Sequence, residues 1–345
     1  MLPAIASSIA APTAPDGAIP ARPAARLAVP AAMALLLLVA PALPARQEVR
    51  GGAAGAVPAA GAAGAAGASD EKNADGGAGA QGDAAWSRRA DGRPGGAAGA
   101  GRAAAGPIGE AIAAYERALR QQPDRLEVYW KLLRAEHYRG QFVASTREEK
   151  QAVFGAARAV AEAGLDRLGR KVGGRARLDA LTPAGAAKAL AGVPEAAPLY
   201  LWAGVDWALW GDNFGHLAAA RQGAGDRIRR YAEVVIAIDE HFEDAGGHRL
   251  LGRLHALAPK VPFVTGWIDR AKAVSELRRA LALAPEEPLN AVFLADALLQ
   301  YDTGKSAEAR QLLRRVLERP PVPARLVEDE DTQRQAKQLL AGPPG

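Results

Sequence analysis

The chain has 345 residues, a formal net charge of +5 and no cysteine. The missing cysteine excludes disulfides, thiolate metal sites, cysteine nucleophiles and a lipidated N-terminal cysteine. Acids and bases are interspersed, as on a mixed solvated surface, and no stretch alternates apolar and polar residues far enough for a sheet. Ala, Leu, Arg and Glu dominate the second half, so the expected fold class is all-α.

Residues 27–43, LAVPAAMALLLLVAPAL, follow Arg22 and Arg26 and form the one strongly apolar run. The run is shorter than the ~20 residues of a spanning helix and is interrupted by Pro30 and Pro41. Small residues up to Ala42 or Ala45 complete a secretory signal over 1–45, which predicts an exported, periplasmic or envelope-associated product without a lipid. An uncleaved anchor or an organelle transit peptide are the alternatives. Residues 46–106 are mostly Gly and Ala with a single aromatic, Trp86, and predict a disordered linker that buries too little to offset its ordering entropy.

A helical-repeat domain is expected over 107–342. Its first helix carries Ile108, Ile112, Tyr115 and Leu119 on one stripe. A second follows over 126–140 and a third over 147–164. Residues 166–183 hold Arg167, Arg170, Lys171, Arg175 and Arg177 without interleaved aromatics, which reads as a solvated loop and argues against a nucleic-acid partner. The segment Leu199 to Phe214, LYLWAGVDWALWGDNF, is apolar all round its helical wheel except at Asp206. Either Tyr200, Trp202, Trp207, Trp210 and Phe214 wall an apolar ligand pocket with Asp206 as polar handle, or they are the central core. Helices over 225–242 and 247–259 follow. The connection from Lys260 to Ile268 is longer than a repeat turn, and its Phe263 and Trp267 make it a candidate recognition loop. Glu328 to Asp331 suit the first turn of a terminal capping helix.

Three strings share one set of offsets. Ala273, Leu277, Ala280 and Pro285 match A-x3-F-x2-A-x4-P, as do Ala111, Tyr115, Ala118 and Pro123, and more loosely Ala309, Leu313, Val316 and Pro321. These are the offsets of the second helix of a tetratricopeptide unit: small residues let paired helices approach, and the proline stops the helix. The expected architecture is an α-solenoid of tetratricopeptide-like (TPR) helix-turn-helix repeats.

No G-x-S-x-G, P-loop, dinucleotide fingerprint or H-E-x-x-H occurs. His241, His248 and His255 are evenly spaced, but on one helix His248 and His255 lie ~10.5 Å apart along the axis. One metal needs its ligands far closer, at bonds of ~2.0–2.1 Å. No catalytic residue, metal or cofactor is expected.

Between roughly 195 and 300 the order of features resembles the T component of TRAP transporters, the TatT-like family. A helix with Tyr200, Trp202, Trp207 and Trp210 precedes one ending in Ile238-Asp239-Glu240-His241-Phe242. Gly246-Gly247-His248-Arg249 and Leu251-Gly252 follow, then a connection from Pro259 to Pro262, the string from Lys272 to Leu281 ahead of Pro285, and Leu294-Ala295. The resemblance implies a non-catalytic periplasmic helical protein that self-associates and engages protein partners of a TRAP-type uptake system, its solute-binding protein or membrane subunits, with a path for a small apolar ligand. The contact residues would be Tyr200, Trp202, Asp206, Trp207, Trp210, Phe214, His248, Arg249, Phe263 and Trp267. The alternative is a general protein-interaction scaffold of the envelope with no transporter or ligand role.

Overall fold

The structure is a computed structural model that describes residues 69–91 and 105–342. The expected signal segment lies outside the described residues. Among these residues there are fourteen α-helices and no strand. They are α1 (Ser69–Ser87), α2 (Ala105–Gln121), α3 (Leu126–Tyr138), α4 (Arg147–Arg170), α5 (Arg175–Ala180), α6 (Pro183–Ala189) and α7 (Ala196–Phe214), then α8 (His216–Arg221), α9 (Ala224–Ile238), α10 (Phe242–Leu257), α11 (Arg270–Leu283), α12 (Pro288–Tyr301), α13 (Ser306–Glu318) and α14 (Leu326–Ala341).

The small-residue strings decide how successive helices meet. Ala111, Tyr115 and Ala118 of α2, Ala273, Leu277 and Ala280 of α11, and Ala309, Leu313 and Val316 of α13 are all buried. Pro123, Pro285 and Pro321 each follow just after the end of their helix, where a missing N–H costs nothing. Each long helix from α2 to α4, and from α9 to α14, packs on the next, while α7 bridges α4 and α9. That serial packing is compatible with an α-solenoid. Helix starts use local chemistry: Thr146 and Glu149 form a reciprocal capping box on α4, and Asp269 caps α11 through the N–H groups of Ala271 and Lys272.

Two apolar clusters result. One is built by α3, α4, α7, α9 and α10 around the tryptophans of α7. The other runs through α1, α2 and α3 together with α11 to α14, so the first and last layers share a core. Their junction is also ionic: buried Arg89 donates from Nε to Glu328 at 2.7 Å, across 239 residues of sequence.

Two expectations are corrected. The stretch expected to be a disordered linker over 46–106 contains α1, and Trp86 of α1 and Arg89 just beyond it are buried against other layers. Long-range packing supplies the order that its composition lacks. The basic stretch after Asp166 is largely helical, because α4 runs on to Arg170 and α5 follows. Its Arg175 is not simply solvated but sits 2.8 Å from Asp179, 3.3 Å from Asp166 and 3.3 Å from Glu162. Glu328 and Asp329 stand in the first turn of the last helix, α14, as expected, and with Asp331 they are also buried, Arg325 spanning Glu287 at 2.8 Å and Asp329 at 3.1 Å. No helix among the described residues is long and apolar enough to cross a membrane.

Candidate functional site

Helix α7 is buried at every position from Ala196 to Gly211. A helix with no polar face has to be covered on all sides, and α3, α4, α9 and α10 cover it. Gly204 lets α10 come close, since a Cβ there would lie 2.7 Å from Leu250 Cδ2. Tyr200 packs on Tyr231 with ring centroids 5.4 Å apart, and Trp202 on His137 at 5.4 Å. Trp207 Nε1 donates to Glu162 at 3.1 Å. Trp207, Trp210 and Phe214 form a continuous aromatic row, roofed by the Arg158 guanidinium at 4.6 Å from the Trp210 ring. Only its last member, Phe214, opens to solvent, at 38% exposure. Four of the five aromatics named from the sequence are therefore in the central core.

The polar groups beside them are unusual. Asp206 is fully buried, and neither carboxylate oxygen has a hydrogen-bond partner among the described residues. Burial, with the nearby Glu136 adding to it, pushes its carboxyl well above the usual carboxylate range. Glu136 of α3 is itself pushed up to about 7 by burial, although Arg139 lies 2.6 Å away and opposes the shift. His137 is lowered to about 3 by burial, and neither ring nitrogen is partnered among the described residues. His137 is therefore uncharged at neutral pH, and burial favours the neutral form of Asp206. Nothing in the sequence marked Glu136 or His137, since on paper they belong to an ordinary amphipathic helix.

His248 and Arg249 act as braces. Residues Glu243, Asp244 and Ala245 have φ of 49°, 54° and 62°, three consecutive non-glycine residues in the left-handed region. Arg249, 1% exposed, donates to the carbonyls of Glu243 at 3.0 Å and Asp244 at 2.9 Å and to Asn290 Oδ1 at 2.8 Å. Gly246 and Gly247 meet Leu201 and Ile236 so closely that a Cβ would stand 2.9 and 2.8 Å from them. His248 Nδ1 lies 2.7 Å from Glu276, tying α10 to α11. Among the described residues no group of three or more His, Asp and Glu is placed to hold a metal ion.

The connection between α10 and α11 is where the fold presents something outward. Thr265 organises it: its N–H donates to the Val261 carbonyl at 2.8 Å, its hydroxyl to the Pro259 carbonyl at 2.5 Å, and it accepts from the Val261 N–H at 2.9 Å. Trp267 is half-buried between the Arg229 guanidinium, 4.2 Å from its ring, and the edge of His255, 5.5 Å away. His255 Nδ1 accepts from the Asp269 N–H at 3.1 Å, which fixes the far end. Phe263, at 107% relative exposure, stands clear of the surface with φ of 63°, flanked by exposed Val261 and Val264. Trp267 thus anchors the loop and Phe263 is displayed by it. The sequence-named residues separate into a buried set on α7, a bracing pair on α10 and this exposed tip.

Comparison with protein-family models gives no match for the chain. Comparison with curated proteins gives none either.

Proposed function

We propose that the chain is a non-catalytic TPR-like binding protein of the periplasm, similar in role to the T component of a TRAP-type solute-uptake system that engages the solute-binding protein. In this reading α1 with α2, α10 with α11, and α12 with α13 are helix pairs of the repeat array, the string-bearing helix being the second of each pair, and the work is done by a displayed surface rather than by a reacting centre. One observation carries it: a hydrogen-bonded, tryptophan-anchored loop holds Phe263 fully in solvent in a left-handed conformation. A large apolar side chain exposed at a backbone cost is costly to both solubility and stability, and ordered loops of that kind are recognition elements. Trp267 seats the loop against the apolar cluster built around α7.

The experiment is crosslinking capture of the mature chain from its own cell envelope, with the retained proteins identified by mass. A solute-binding protein or a TRAP membrane subunit among them supports the transporter role. Recovery of unrelated envelope proteins alone favours the general scaffold and overturns the proposal.

A further inference from the structure

Large apolar side chains left in solvent are concentrated in two segments that touch. Seven such residues are exposed among the described residues, and five belong to these segments: Phe214 and Leu217 where α7 gives way to α8, and Val261, Phe263 and Val264 between α10 and α11. The segments meet at the start of α9. Helix α8 folds back on the end of α7, where a Cβ on Gly211 would stand 3.3 Å from Ala219 Cβ, and Gly223, with φ of 64°, turns the chain into α9. Gly225 then admits the other segment, since a Cβ there would lie 3.4 Å from Thr265 Cγ2 and 3.5 Å from the Trp267 ring. An exposed apolar surface of this kind marks a contact with a protein or a membrane.

Charge and shape decide between the two. From Phe214 to Gly225 and from Gly246 to Ile268 the sequence holds no Asp or Glu. His216, Arg221 and Lys260 are exposed there, and neither Arg221 nor Lys260 has a carboxylate partner among the described residues. Asp226, the first acid of α9, is held at 3.2 Å by Arg229, whose guanidinium also covers the Trp267 ring. The surface is therefore apolar and cationic, the complement of an anionic bilayer. Its shape is convex: the Phe263 ring stands wholly clear of its neighbours. A protein face buries such a tip only through a matching pocket, whereas a fluid acyl layer accepts it anywhere. Trp267, half-buried at the base of the loop, is the residue type that settles at the level of lipid headgroups. The Thr265 hydrogen bonds hold the tip in place beforehand, so little ordering is lost on insertion.

We propose that this surface docks on an anionic lipid bilayer. Phe263 and Val264 enter the upper acyl region, Leu217 of α8 adds a shallower apolar contact, Trp267 lies at headgroup depth, and Arg221 and Lys260 meet lipid phosphates. The attachment is peripheral and reversible, because one protruding ring and a few cations supply far less than a spanning helix does. The inference rests on the reading of the Phe263 loop as the working surface and is independent of which proteins the chain meets at the membrane.

The chain has no cysteine, so a single introduced thiol carries a probe. A Val264→Cys chain bears an environment-sensitive fluorophore beside Phe263, and a Val322→Cys chain bears it at an exposed residue between α13 and α14. Each full-length chain is mixed with phosphatidylcholine vesicles holding about one-third phosphatidylglycerol and a lipid with a nitroxide on its upper acyl carbons. The label at 264 shifts to the blue and is quenched. The label at 322 keeps its aqueous emission, which separates docking by the loop from attachment through the apolar run at 27–43. Adding Phe263→Asp, a residue that tolerates the left-handed region, raises the lipid concentration needed at least about tenfold. Arg221→Gln and Lys260→Gln each raise it about fivefold, and only on the anionic vesicles. A label at 264 that stays aqueous, quenching that is equal at both positions, or quenching indifferent to Phe263→Asp overturns the proposal. If the label stays aqueous while envelope capture still depends on Phe263, the tip enters a protein pocket: this inference falls and the binding role stands. Quenching as expected, with no TRAP component captured, upholds the inference and overturns that role.

Discussion

Replacing Asp206 with asparagine keeps the shape of the side chain and removes its titration. The folded chain holds this carboxyl fully buried with no hydrogen-bond partner among the described residues, and its pKa is raised well above the ordinary value. In the unfolded chain the same group ionises near pH ~3.9. The folded pKa is the higher, so the contribution is fully present below the unfolded pKa and is lost as pH rises toward the folded one, at about 1.4 kcal/mol per pH unit. Glu136, pushed up to about 7, acts with the same sign. His137, lowered to about 3, acts with the opposite sign: its folded form refuses the proton that the unfolded imidazole takes below its ordinary pKa, so its contribution is lost as pH falls. Between about pH 4.5 and 6 the two carboxyls lower stability as pH rises while His137 raises it. The D206N chain lacks one of the two carboxyl contributions. The stability difference between D206N and wild type should therefore shift steadily in favour of D206N as pH rises above the unfolded carboxylate pKa. Urea unfolding followed by tryptophan fluorescence at half-unit steps measures it, since Trp202, Trp207 and Trp210 are buried beside the group. Parallel pH profiles for the two chains would refute the reasoning.

Trp202→Ala should destabilise by about 3–5 kcal/mol in the same assay, as truncation of a core aromatic does; a loss under about 1 kcal/mol would mean that the ring lines open space. Gly252→Ala places a Cβ 2.6 Å from Leu277 Cγ and should cost about 1–3 kcal/mol by forcing α10 from α11, visible as a lowered urea midpoint. Phe263→Gly removes a fully exposed ring from a left-handed position and should raise stability by about 1–2 kcal/mol, read as a higher melting temperature; a lower one would show that the ring packs.

Much of the helical order was legible because it is local. The Ala and Pro offsets around Tyr115, Leu277 and Leu313 report close helix approach and helix ends directly, and those side chains are the buried ones. The apolar wheel of α7 likewise implied complete covering, which α3, α4, α9 and α10 provide. What stayed hidden depends on partners far along the chain. Helix α1 looks like a featureless Gly and Ala tract until Trp86 meets Arg134 and Arg89 meets Glu328. Glu328 and Asp329 were legible as first-turn acids of the last helix, but not as the buried partners of Arg89 and Arg325. Arg249 looks like a surface base in a Gly-Gly-His-Arg string, yet it holds a left-handed turn that no residue pattern announced. The exposed tip was half legible: the long connection with Phe263 and Trp267 stood out, but which ring anchors and which is displayed follows only from Arg229, His255 and Thr265.

The most direct test of the binding role compares crosslinking capture by the wild-type chain and by a Phe263→Ala chain, both at the same concentration and from the same native envelope, with yields quantified by mass spectrometry. The account predicts that the wild type retains a solute-binding protein or a TRAP membrane subunit and that Phe263→Ala loses most of that yield while remaining as stable as the wild type. Equal recovery of the same proteins by both chains would contradict it.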